Sequence, residues 1–187
     1  MIKELLLKNR SYRRFHQNER IDEQVLFDLV GLVRFCASGR NAQTLKYIVV
    51  HDEDKCEEVF NTLSWAGYIS DWAGPCEGEK PSAYIIQVND DSLGKNYFCD
   101  DGITAQSMLL GAVEKGFGGC ILRAFTKELG GIVNVPEGMR VVQVIALGKP
   151  KEEVVIDDIK DGDFKYWRDD NGVHHVPKRT LEELIIK

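Results

Sequence analysis

The sequence predicts an α+β domain in which a central sheet is covered by helices, with residues 1–187 forming one unit. Three observations carry that expectation. Strand-like and helix-like stretches alternate along the chain, yet the connections between them are uneven and both ends are long arms. A chain of 187 residues with 43% apolar content is long enough for a real core. No repeat, low-complexity tract or Pro/Ser-rich linker divides it.

The first strong helix is expected over residues 22–37. Asp22 is a natural N-cap, and Val25, Leu26, Leu29, Val30 and Val33 follow the 3/4 spacing of one buried stripe. Tyr47-Ile48-Val49-Val50 is short and rich in β-branched residues, so it reads as a buried strand, and a charged helix over 55–63 follows it. Residues 74–82 hold Gly, Pro and Glu in a loop, and 83–88 form a second strand. The longest helix is expected over 100–115, closed by Gly116 in the usual position after a helix end. A short strand over 119–122, a helix over 126–133 and a strand over 141–147, closed by Gly148-Lys149-Pro150, come next. Residues 152–175 read as polar and irregular. The tail 176–187 is basic and then apolar, with Leu181, Leu184, Ile185 and Ile186 needing some surface to pack on.

Charge and composition exclude several classes of function. With 24 Lys and Arg against 30 Asp and Glu, the formal charge of −6 argues against a nucleic-acid binder held by bulk charge. The longest strictly apolar runs are far shorter than the roughly 20 residues that span a bilayer, so no membrane partner is expected. The opening Met1-Ile2-Lys3-Glu4 fits no secretory h-region. Five cysteines, odd in number and widely spaced, form no CxxC motif, and a cytoplasmic location is the expectation.

Three groups of residues could carry chemistry. Arg10, Ser11 and Arg13 lie in a short loop after an opening helix, and Lys178 and Arg179 lie at the other end of an acidic chain. Forked guanidinium donors, a lysine point charge and a hydroxyl suit a phosphate, although solvated surface charge is the commoner use of such residues. The second group is Ala37-Ser38-Gly39-Arg40-Asn41-Ala42-Gln43, between the first helix and the first strand. Asn and Gln offer donors and acceptors for the edge of a heteroaromatic ring, and a plain helix cap and turn would read the same way. The third is Gly116-Phe117-Gly118-Gly119-Cys120-Ile121-Leu122-Arg123-Ala124-Phe125, which is no dinucleotide fingerprint because Ile121 stands where the third glycine would be. A glycine-rich entry to an apolar strand instead suits backbone lying close to a flat ligand.

Taken in order, these groups resemble the nitroreductase family of FMN-dependent oxidoreductases over nearly the whole chain. Asn9-Arg10-Ser11-Tyr12-Arg13-Arg14-Phe15 resembles the family's opening R-[RH]-S-x-[RK]-x-F segment, and Ser38-Gly39-Arg40-Asn41-Ala42-Gln43 its S-x-x-N-x-Q loop. Residues 116–125 are similar to its glycine-rich turn, 144–150 to its late strand ending in Gly-x-Pro, and 178–184 to its basic C-terminal segment. The resemblance implies a mostly antiparallel central sheet in an intertwined homodimer that exchanges a terminal arm, with FMN in each of two interface clefts. By position, Arg10, Ser11 and Arg13 would grip the FMN phosphate and ribityl chain, and Lys178 and Arg179 would close on the phosphate. Ser38 and Asn41 of the partner subunit would reach the flavin, Ile121 and Leu122 would lie against its ring, and the Arg123 backbone N–H would face N5. Asn9 replaces the family's first Arg, Thr44-Leu45 replaces its Pro-Trp, and Arg123 stands where Glu is frequent.

The implied activity is a ping-pong cycle. NADH or NADPH gives hydride to flavin N5, and a small-molecule electron acceptor of the nitroaromatic or quinone type then takes it. No side chain need act as nucleophile or general acid, so no catalytic residue is expected. A flavin-binding protein without turnover, for storage or sensing, is the alternative. His174-His175 read as solvated loop histidines rather than metal ligands, since neighbours in extended chain point apart. Trp65, Tyr68 and Trp72 at 3/4 spacing read as core, or as a helical lid over the cleft.

Overall fold

The computed structural model describes residues 1–186. Four antiparallel strands, β1 (Leu45–Val50), β2 (Ala83–Asp90), β3 (Gly118–Leu122) and β4 (Met139–Gly148), make the main sheet in the order β1-β2-β4-β3. Through residues 83–86 and 144–147 the two central strands are apolar on both faces because both faces are covered. Ala83, Ile85, Ile145 and Leu147 pack under α2 (Glu23–Gly31) and α4 (Asp100–Glu114). Tyr84, Ile86, Val144 and Ala146 point to the other side, against α3 (Glu53–Phe60) and α5 (Leu129–Ile132). The period of two along each strand thus divides one sheet between two cores.

Caps set where the helices begin. The Asp22 side chain accepts from Gln24 N, and that of Asp52 from Lys55 N, so α3 starts two residues before the charged run suggests. Other ends differ from expectation for local reasons. The helix expected to reach residue 37 stops at Gly31 and tightens into a 3-10 turn, Leu32–Phe35, before Cys36 turns extended. The helix expected over 126–133 is only α5, a single turn holding Gly130 and Gly131. A short α1 (Ile2–Lys8) opens the chain.

The largest departure lies in residues 152–175, which are not irregular. They supply most of a second sheet: β5 (Val154–Asp158), β6 (Trp167–Arg168) and β7 (His174–Lys178), in the order β5-β7-β6, with β5 and β7 parallel. Its strands are short and rich in charge, so no apolar alternation announces them. A last turn, α6 (Leu181–Leu184), is capped by Thr180 and Glu183.

Between α1 and α2 the chain runs along the edge of the main sheet. Ser11 bridges Gly119 of β3 in parallel, Tyr12 N donates to Gly119 O at 3.1 Å, and the wholly buried Phe15 bridges Pro150. This approach explains two glycines. A Cβ at Gly118 would lie 2.5 Å from the Tyr12 ring, and one at Gly119 would lie 2.4 Å from Ala146 O. The glycine-rich turn therefore admits the chain's own arm and neighbouring strand.

Candidate active site

The opening arm and the small sheet meet at a cavity of about 310 Å³. Asn9, Arg10, Ser11 and Arg13 line one wall; Val154, Tyr166, His174, Val176 and Lys178 line the other. Four of the five basic or hydroxyl residues singled out at the two chain ends are thus brought together. Among the described residues, no carboxylate lines this cavity.

The two cavity arginines are each held by a specific local device. α1 ends at Asn9 with extended backbone, and Arg10 Nη2 donates back to Leu6 O at 2.6 Å. Arg13 Nη1 lies 3.2 Å from both Ser11 O and His174 Nε2, and the Tyr166 ring covers its guanidinium at 4.8 Å. The next residue turns the other way: Arg14 donates twice to Glu79 at 2.6 Å, and Lys151 adds a third contact at 3.1 Å. Those bonds, Arg14 first, hold the Glu79 carboxyl down at about 2. Buried Glu152 accepts from the backbone N–H of both Arg13 and Arg14 and pairs with Arg168 at 2.9 Å, tying the arm to β6. Arg10 Nε and Arg13 Nε are buried without a partner among the described residues. The two arginines also line the cavity, and their forked guanidinium groups suit an anionic oxygen ligand.

His174 is fully buried, and its imidazole is pushed down to about 4, by burial first and then by Arg13, Arg168 and His175. The two histidines are not solvated loop residues; both lie on β7 and face opposite ways. His174 packs against Tyr166 at 5.2 Å, and His175 stacks on Trp167 at 4.7 Å. No trio of possible metal ligands exists among the described residues.

The 38–43 loop lies at a separate cavity of about 240 Å³, which Ser38, Asn41, Gln43, Tyr47 and Asp100 help to line. Asp100, at the start of α4, grips it through Ser38 Oγ at 2.7 Å and Gly39 N at 2.8 Å. Arg40, Asn41 and Gln43 all have left-handed backbone, with φ of 54°, 55° and 49°. Such residues cost roughly 1–3 kcal/mol each and persist only where the surroundings enforce them.

On β3, Ile121 is partly exposed, whereas Leu122 is buried in the core on the α5 side. The Arg123 guanidinium pairs with Asp101 and donates to Gln143 Oε1 at 2.9 Å. Because Ser11 and Gly119 are bridged, this strand and the basic cavity share one sheet edge. Arg179 does not line the cavity; its guanidinium meets Glu183 at 3.3 Å. The Trp65–Trp72 segment is not helical. Trp65 is buried in the core, Trp72 packs on it under Arg168, and Tyr68 meets Tyr166 at 4.9 Å.

No family model and no curated protein matches the chain. Solved structures do. A nitroreductase family protein from Streptococcus pneumoniae TIGR4 aligns over 100% of both chains with a TM-score of 0.70 and 14% identity. Another, from Clostridium novyi NT, aligns over 98% of both with a TM-score of 0.67 and 22% identity. The fold is nitroreductase-like. An FMN-dependent nitroreductase from Clostridium difficile R20291 covers 82% of this chain and 89% of its own, with a TM-score of 0.65 and 22% identity. Within this nitroreductase-like fold, sequence reasoning missed Glu152 and Tyr166 and read the buried His174 as a solvated loop residue. The only visible signal was that residues 152–175 sit just before a basic segment; neither spacing nor hydrophobic pattern marks the three residues.

Proposed function

We propose that this protein is an FMN-dependent oxidoreductase that carries hydride from NADH or NADPH to a small nitroaromatic or quinone-type acceptor by a ping-pong cycle. Residues 1–187 act as one FMN-binding domain, in a cytoplasmic homodimer with exchanged C-terminal arms. The observation that carries this reading is the basic cavity. Arg10, Ser11 and Arg13 converge there with Lys178, from the far end of the chain, and two buried guanidinium nitrogens lack partners among the described residues. That donor set fits a phosphate monoester, whose near-dianionic charge needs paired donors when partly buried. The likeness to solved nitroreductases, one of them described as FMN-dependent, supports the same reading.

FMN, when bound, would supply hydride uptake and release. The protein's part is to hold and orient it. Arg10, Ser11, Arg13 and Lys178 would take the phosphate, while Ile121 on the adjoining strand would offer an apolar surface and Arg123 a backbone donor to the ring. Ser38 and Asn41 of the partner subunit would complete the cleft. The apolar arm supports association: Leu181, Leu184 and Ile186 are largely exposed, as is Phe35 beside an open groove on α4.

The test is a visible spectrum of protein mixed with FMN, desalted, then titrated with NADH and NADPH without oxygen. Flavin bands that bleach with a nicotinamide and return on adding a quinone support the reading. Flavin that stays bound but never bleaches supports the storage or sensing alternative, and no retained flavin overturns both. Arg13→Ala combined with Lys178→Ala should lose FMN on dialysis; retention would refute the phosphate assignment.

A further inference from the structure

We propose that His174 and Tyr166 are positioning residues that aim the Arg13 guanidinium into the basic cavity, making the small sheet part of the anion-binding apparatus. The inference rests on the reading of that cavity as a phosphate site and extends it to residues outside every recognised motif. A guanidinium only donates hydrogen bonds, so the 3.2 Å contact between Arg13 Nη1 and His174 Nε2 requires a lone pair on Nε2. The ring proton must then sit on Nδ1, a buried atom without a partner among the described residues. A protonated imidazole would set two cations against each other at that distance. The imidazole therefore serves as a neutral acceptor.

Tyr166 completes the clamp. Its ring lies 4.8 Å from the Arg13 guanidinium and 5.2 Å from the His174 ring, so it packs on both partners of that hydrogen bond. Nη1 is also held by Ser11 O at 3.2 Å. With one amino group fixed and one face covered, Arg13 keeps Nη2 and Nε uncommitted among the described residues. Pre-setting a flexible cation in this way removes the ordering cost an incoming anion would otherwise meet.

Two measurements test it. Ring ¹⁵N NMR of the ligand-free full chain, with the His174 signal assigned by its loss in His174→Gln, should show the proton on Nδ1 and a hydrogen-bonded Nε2 whose shift changes in Arg13→Met. A proton on Nε2 overturns the proposal. FMN and riboflavin are then titrated side by side, since only FMN carries the phosphate. His174→Phe should weaken FMN binding roughly tenfold and leave riboflavin unchanged, while His174→Gln, which keeps an acceptor, restores most of the loss. Tyr166→Leu should reproduce the FMN-only loss and serves if His174→Phe does not fold. Equal losses for both flavins, or none, overturn the proposal. If the wild type binds FMN no better than riboflavin and binds no inorganic phosphate, the functional reading and the anion half of the proposal both fall. The NMR result still decides the Arg13–His174 geometry separately.

Discussion

The two sheets of this molecule are held by different forces. In the main sheet, Ile85, Ile86, Val144 and Ile145 are shielded from water on both faces, and α2, α3, α4 and α5 close over them. In the small sheet, Ile156 and Trp167 are almost half exposed, and the strands are joined through polar side chains. His175 meets Asp157 at 2.8 Å and Asp169 at 3.6 Å while stacking on Trp167, and Arg168 joins Glu152 on one side and the Trp72 ring on the other. Burial is non-directional and tolerant, whereas these pairs depend on geometry and protonation. The small sheet nonetheless supplies one wall of the basic cavity, so that wall is set by the geometry-dependent pairs.

The sharpest way to expose the contrast is to weaken the main sheet. Ile145→Ala removes a fully buried side chain and should cost about 4 kcal/mol, read from urea unfolding with an unchanged m-value. Loss of only local structure would mean that the two sheets unfold independently. The next largest effect should come from Glu152→Gln at the junction. That carboxylate accepts from two backbone N–H groups of the arm and from Arg168, and losing its charge leaves a mostly buried guanidinium unpaired. A cost of about 3 kcal/mol is expected, together with weakened FMN retention. A change below about 0.5 kcal/mol would show that the arm and the small sheet are not coupled through it.

The same contrast explains what could be read from the sequence. Tyr47 to Val50, Ala83 to Val88 and Val141 to Leu147 are apolar runs bounded by turns, and each falls within an observed strand. Asp22 and Gly116 mark helix ends because capping and left-handed backbone are local properties, and Gly116 has φ +83°. The small sheet obeys no such period: its strands carry His174, His175 and Asp157, whose partners are distant in sequence, and the exposed Lys178. For the candidate site, Arg10, Arg13 and Lys178 were legible as basic residues at both ends. His174 was not, because a buried histidine and a solvated one are the same letter.

Protonation should separate the sheets further. His174 is held neutral at about 4, well below its ordinary 6.5, so the unfolded chain binds a proton in that interval that the native protein does not. Its contribution to stability is therefore present above about pH 6.5 and is lost as the pH falls towards 4. His175 runs the opposite way: Asp157, then Asp169, raises its affinity for a proton. Its contribution is full below pH 6.5 and fades as the pH rises, and it should be small because the ring pairs near the surface. Thermal melts from pH 4 to 8 should show a falling acid limb that flattens in His174→Phe. An acid limb unchanged in that variant would assign the loss to other groups.

The smallest effect on stability, and the most selective one, is expected at Lys178. Its side chain is exposed and, among the described residues, makes no ion pair, so Lys178→Ala should leave the unfolding free energy within about 0.5 kcal/mol. If the small sheet serves to deliver this charge to the cavity that Arg13 enters from the arm, the same change should still weaken FMN binding several-fold. The remaining affinity should also respond less to added salt, since one screened attraction is gone. A matched titration at low and high ionic strength reads both. An unaltered salt response would mean that Lys178 faces solvent in the bound state, leaving Arg10 and Arg13 to hold the anion from the arm alone. The main sheet should register nothing in either case, because no part of its burial involves this residue.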